Sequence, residues 1–258
     1  MASTVKLDRD GDVGIVSLNS PPLNLFDVSL INDLKQGLEE MEGEMLRALV
    51  VRAEGDVFTG GVDVHVFDDK TPDQAGALFR DLIAIVHKLE GMPFPTIASV
   101  QGLCLTAGLE LALGCDLLMA GEGAKFGLVE RVVGLTPAMG GTQRMAERAG
   151  PARAREFVMT GGLYDAATLE RWNVVNRVYP DGELREQTMK FAQSLATGPT
   201  KAHAATKAMV RAYLEHGIQG ADERVEDIPA QLFATEDLQN AVDTFLAEGP
   251  GKATFQGR

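Results

Sequence analysis

Cysteine is scarce in this chain of 258 residues: there are two, Cys104 and Cys115, in no C-x-x-C or mixed Cys/His spacing that would hold a metal. Both sit in apolar sequence and read as reduced, buried thiols. The four histidines, His65, His87, His203 and His216, are scattered and form no H-E-x-x-H signature, so no metal site is expected. His87 falls on a helical pattern and reads as structural. Aromatics are sparse too, with one Trp and 6% overall, which gives a glycosidase little to stack sugars on. Basic residues are the minority, 24 against 37 acidic, and the net charge of −13 argues against nucleic acid as a partner. No apolar run approaches the roughly 20 residues of a membrane span. The opening MASTVKLDRDGD meets charge before any signal core can form, so the cytoplasm is the expected location and no membrane partner is expected. Also missing are the G-x-S-x-G elbow, a G-x-G-x-x-G after the first strand, and a Walker A loop, which sets aside serine hydrolase, Rossmann and P-loop readings.

What is present is an ordinary packed composition, 45% hydrophobic and 24% charged. Residues 11–19 have the β-branched alternation of a strand, ended by Pro21 and Pro22. Leu30, Ile31, Leu34, Leu38 and Met41 recur at helical spacing, and residues 48–52 (ALVVR) read as a buried strand. The cycle repeats: a loop through FTGGVDVHVF, a helix opened by Thr71 and Pro72 and running to about Glu90, and a strand at 96–100. A short helix at 109–113 and a strand at 116–120 follow. This alternation predicts an α/β fold of parallel strands with helical crossovers. Beyond Gly150 the only strand signal is at 174–178, and helices are expected at 151–160, 183–195, 200–214 and 236–246. The division expected is a core over 1–198 and a helical subdomain over 199–258.

The chemistry concentrates in residues 100–144, which place Glu110 and Glu130 inside apolar, glycine-punctuated sequence. A carboxylate among apolar side chains must be neutralised, paired or used. Two glycine-bearing loops, 58–63 (FTGGVD) and 102–108, can each aim backbone N–H groups at a ligand, the second at the positive end of the helix carrying Glu110. Together they could form an oxyanion hole beside an acid/base pair. Blander readings stand beside this one: turn glycines, a helix-dipole glutamate at Glu110, and an ion pair from Glu130 to Arg131 or Lys125.

On these residues, nearly the whole chain resembles the enoyl-CoA hydratase/isomerase family, the crotonases. FTGGVD is similar to the family's F-x-A-G-A-D loop, which implies Val62 N–H as first oxyanion donor. Residues 101–111 (QGLCLTAGLEL) resemble N-G-x-x-x-G-G-G-x-E-L, which implies Ala107 N–H as second donor and Glu110 as first catalytic glutamate. AKFGLVE, 124–130, resembles A-K-F-G-x-P-E and brings Glu130 onto the second, while GGTQR at 140–144 and FQGR at 255–258 follow the family. The chain departs from the pattern at Val62, Thr106, Ala107, Val129 and Ala138, and it has Pro22 and His65 where lysines often attend the CoA phosphates.

The resemblance implies a spiral of repeated β-β-α units with a helical C-terminal region that forms trimers, often paired into hexamers. It implies addition of water across the 2,3 double bond of a 2-enoyl-CoA thioester, by Glu110 and Glu130, with Ala138 N–H helping to hold the water. No metal or redox cofactor is implied, CoA being part of the substrate. Leu25, Gly60, Val62, Asp63, Val64, Ala107 and Met139 are the implied substrate-binding residues. An enoyl- or dienoyl-CoA isomerase and a catalytically idle acyl-CoA-binding paralogue remain as alternatives.

Overall fold

The computed structural model describes residues 3–258. Met1 and Ala2, which open the N-terminal segment discussed above, lie outside the described residues. The chain begins with a hairpin, β1 (Val5–Asp10) against β2 (Val13–Leu18), followed by α1 (Val28–Gly43), β3 (Ala48–Ala53), α2 (Pro72–Gly91) and β4 (Thr96–Val100). Next come β5 (Leu103–Leu105), α3 (Ala107–Leu113), β6 (Leu117–Gly121), β7 (Lys125–Gly127), α4 (Gly141–Ala149) and α5 (Pro151–Thr160). The remainder is β8 (Tyr164–Asp165), α6 (Ala166–Arg171), β9 (Arg177–Tyr179), α7 (Leu184–Ala196), α8 (Thr200–Asp222) and α9 (Glu236–Glu248).

A large sheet runs β1-β2-β3-β4-β6-β9, parallel except for β1, and a small one runs β5-β7-β8. An isolated Thr59–Cys104 bridge extends the small sheet by one more segment. Three successive turns of chain thus place one strand in the large sheet, one in the small sheet and then a helix: β3, Thr59 and α2; β4, β5 and α3; β6, β7 and α4. That is the expected β-β-α spiral. Side chains alternate across β3, with Leu49 and Val51 facing the core that holds α1 to α3, and Ala48 and Val50 facing the core under α7. Burial on both faces explains why β2 to β4 read as continuous apolar runs.

Helix starts obey local chemistry. Asp27 caps α1 by accepting from Leu30 N–H at 2.8 Å, and Thr71 with Gln74 forms a capping box on α2, with Pro72 at its first position. The structure corrects several expected boundaries. β1 is an edge strand whose charged residues are exposed, so it lacks the apolar alternation by which a strand is recognised. The strand expected at 174–178 is instead β9, because Val174 and Val175 are buried in the connection before it. Helix α8 extends eight residues past Leu214, with a break at Gly217, whose φ of 70° only glycine adopts readily. No described helix is long and apolar enough to cross a membrane.

Candidate active site

Helix α3 is buried along its whole length, which puts Glu110, in its first turn, among apolar neighbours at 3% exposure. One carboxylate oxygen, Oε1, accepts from Met139 N–H at 2.9 Å and Gly141 N–H at 2.7 Å. These two amides come from the entry to α4, where Gly140 turns the chain at φ 100°. A Cβ on Gly141 would lie 2.7 Å from Glu110 Cγ, so the close approach requires glycine. Arg144 pins the same turn: its Nη1 donates to Gly140 O at 3.2 Å and its guanidinium pairs with Glu90 at 2.7 Å. The G-G-T-Q-R run therefore builds the cradle of Glu110.

Glu130 opens a 3₁₀ turn, Glu130–Val133, and is buried, with Oε2 lacking a hydrogen-bond partner among the described residues. It joins neither proposed ion pair: Lys125 faces Asp165 at 4.0 Å, and Arg131 donates to Thr160 O at 2.8 Å. Burial pushes both carboxyls up to about 7. For Glu110 desolvation is the leading cause, opposed by the Gly141 amide and reinforced by the charge of Glu130.

Both glutamates line one cavity of about 230 Å³, together with Gly60, Val62, Val64, Ala107, Ala138 and Met139. Phe67, Phe79, Leu82 and Leu135 complete an apolar wall, and no lysine or arginine among the described residues lines it. The cavity shares Val64, Phe67 and Phe79 with an adjoining, more open pocket of about 500 Å³ that reaches His65, Asp68 and Lys70. At the N-terminus of α3, Ala107 N–H has no acceptor among the described residues, an orphan donor beside the cavity. Ala138 N–H likewise has no acceptor among the described residues.

Val62 N–H is not open. It donates to Thr106 Oγ1 at 3.1 Å. Thr106 has φ 47° and ψ −123°, a conformation that costs a β-branched residue about 1–3 kcal/mol. The walls do not include Leu25 or Asp63: Leu25 packs behind Gly60, and the Asp63 carboxylate caps the turn Val64–Phe67. Asp63 Oδ1 accepts from His65 N–H at 3.0 Å, the main cause that lowers Asp63 from its ordinary value, and lies 2.6 Å from His65 Nδ1, which lowers it further and raises His65. Sequence reasoning missed Phe67, Phe79 and Leu82, and treated Thr106 only as a replaced glycine. The inward spacing of Phe79 and Leu82 on α2 was the available signal for two of them.

The sequence model described as enoyl-CoA hydratase/isomerase matches residues 8–258. The chain belongs to the enoyl-CoA hydratase/isomerase family. A protein named probable enoyl-CoA hydratase in Mycobacterium bovis is 32% identical, over 94% of this chain and 95% of its own length. The 2,3-dehydroadipyl-CoA hydratase of Escherichia coli is 29% identical, over 99% of this chain and all of its own. A crystal structure of enoyl-CoA hydratase subunit I from Geobacillus kaustophilus superposes with a TM-score of 0.93 at 32% identity, covering 99% of this chain and 98% of that one. The spiral described above is the crotonase fold of this family.

Proposed function

We propose that this enoyl-CoA hydratase/isomerase family member is a hydratase acting on 2-enoyl-CoA thioesters. The observation that carries the reading is the pairing of Glu110 and Glu130 in one apolar cavity, each raised to about 7, beside the open amide of Ala107. The thioester carbonyl oxygen lodges between the loops bearing Val62 and Ala107, where donors stabilise the enolate-like transition state. Glu110, ionised and oriented through Oε1 by two amides, takes a proton from water held with the help of Ala138 N–H. The hydroxyl adds to the β-carbon, the electron pair moves to the α-carbon, and Glu130 supplies the proton there. Proton exchange with solvent resets the pair, and no other reactant is consumed.

A wall without cations suits an uncharged acyl chain, in contrast to the dicarboxylic thioester in the name of the Escherichia coli relative. Two classes of partner follow: the acyl-CoA substrate and further copies of this chain as a trimer or dimer of trimers. A second reading rests on the unpartnered Glu130 Oε2, which could shuttle a proton alone and isomerise a 3-enoyl-CoA.

The test follows loss of thioester conjugation with crotonyl-CoA and longer enoyl-CoAs, for the parent and for Glu110→Gln and Glu130→Gln. Each substitution is expected to lower kcat by about 10²- to 10⁴-fold. Undiminished turnover in both variants would sink the assignment. Conversion of 3-enoyl to 2-enoyl product without hydration selects the isomerase, and acyl-CoA binding without turnover selects an idle paralogue.

A further inference from the structure

The Val62 segment bridges to Phe26: Phe26 N–H donates to Gly61 O at 2.9 Å and Asp63 N–H to Phe26 O at 3.2 Å. Because successive amides of extended chain point to opposite sides, Val62 N–H is turned toward the cavity. What it meets there is the Thr106 hydroxyl, at 3.1 Å. A hydroxyl has one proton and two lone pairs. Val62 occupies one lone pair, and the Thr106 proton has no acceptor among the described residues. Thr106 lines the cavity immediately before the open Ala107 amide and is itself buried.

Two features hold the hydroxyl in place, and a third shows that the backbone there is strained. Thr106 N–H is tied to Gly127 O at 2.9 Å. A Cβ on Gly61 would run into Thr106 Oγ1, so the two loops interlock there. The backbone of Thr106 lies in the region that favours glycine, yet a hydroxyl-bearing, β-branched residue occupies it. Strain retained at a site and spent on placing one polar atom points to a role for that atom.

We propose that Thr106 is a catalytic residue of the hydratase chemistry, its hydroxyl donating to the substrate carbonyl oxygen alongside Ala107 N–H, with Val62 acting as a positioning residue through it. This rests on the thioester reading above. The first donor of the hole is then an O–H, and the chain Val62 N–H to Thr106 O–H to carbonyl oxygen is a cooperative one, in which the amide polarises the hydroxyl. A direct bond from Val62 would require Oγ1 to leave a buried position against Gly61. As negative charge grows on the carbonyl oxygen, the relayed bond strengthens without reorganisation.

The experiment compares Thr106→Ser, Thr106→Ala and Thr106→Gly for kcat and KM with crotonyl-CoA. It also records the absorption red shift of a bound para-amino-substituted cinnamoyl-CoA, which reads carbonyl polarisation without turnover. The glycine variant relieves the strained backbone, so it is expected to melt higher than the parent while its kcat falls about 100-fold at little-changed KM. Alanine is expected to lose similarly, serine to recover most of the rate, and the red shift to shrink wherever the hydroxyl is gone. If glycine or alanine matches or exceeds the parent in kcat, or leaves the red shift intact, the hydroxyl is a competitor for Val62 N–H and the proposal falls. A parent that binds the chromophore yet hydrates none of the enoyl-CoAs sinks the hydratase reading instead, and the red-shift series still decides the role of Thr106.

Discussion

Glu110 and Glu130 titrate from the same starting point, 4.5, to about 7, for the same leading reason, burial. The hydration proposed above needs Glu110 ionised and Glu130 protonated. The rate constant kcat/KM is therefore expected to peak between roughly pH 6 and 8, its acid limb set by protonation of Glu110 and its alkaline limb by loss of the Glu130 proton. A profile flat from pH 5 to 9 would contradict these roles. The same shifts carry a stability consequence. A carboxyl whose folded-state pKa is raised keeps its proton in the native state where the unfolded chain has released it. Its contribution to stability is complete below about 4.5 and disappears as pH rises through 7. Glu110→Gln, neutral at every pH and able to accept from Met139 and Gly141, is expected to exceed the parent by about 3 kcal/mol at pH 8.5 and to match it at pH 4. Melting followed by calorimetry at the two pH values measures the difference, and equal melting temperatures at pH 8.5 would refute it.

Among the elements, α3 is the one whose position the site depends on most. Gly108 lies so close to Thr59 that a Cβ would overlap Thr59 Cγ2. Thr59 in turn holds the first loop, its Oγ1 donating to Asn24 O at 2.8 Å and accepting from Gly61 N–H at 2.9 Å. Gly108→Ala is expected to cost about 1–3 kcal/mol through overpacking and to lower kcat by displacing the Ala107 amide. Asp27→Ala is the contrast. It removes the cap of α1, a side chain that lines no part of the cavity, and should cost about 1 kcal/mol, a fall in Tm of about 2–4 °C, with kcat unchanged. Thermal melts and turnover of the two variants together separate damage to the site from loss of stability.

At the scale of the molecule, the C-terminal region is tied to the core by polar contacts while exposing apolar side chains. Within the region, Asp237 is buried and its carboxylate holds the tail, accepting from Gln256 N–H at 2.6 Å and Gly257 N–H at 2.8 Å. Arg47 donates to Phe255 O at 2.9 Å and to Gly198 O at 2.6 Å. Meanwhile Ile218 is 70% exposed and Leu246 80%, with Phe233 and Phe245 also uncovered. Apolar surface of this extent on the last helices favours self-association. Light scattering of the purified protein is expected to give the mass of three or six chains, and paired Ile218→Glu and Leu246→Glu substitutions to reduce it. A parent that is monomeric at micromolar concentration would refute the expectation.

Much of this was legible along the chain. Apolar periodicity set α1 and the buried strands β3 and β4, Thr71 and Pro72 set the start of α2, and the two glutamates declared themselves because charge in apolar sequence demands an explanation. Family motifs then attached roles to Val62, Ala107, Glu110 and Glu130. Edge strand β1 and the three short strands of the small sheet escaped because pairing, not their own composition, makes them strands. The sequence by itself determined the alternating α/β order, the buried acid/base candidates and the glycines at close approaches. Only the tertiary structure decided which amides face Glu110, that Glu130 Oε2 has no hydrogen-bond partner among the described residues, and that the Thr106 hydroxyl takes the Val62 N–H at the cavity wall. Those are relations between loops dozens of residues apart, fixed by packing and hydrogen bonding rather than by local preference.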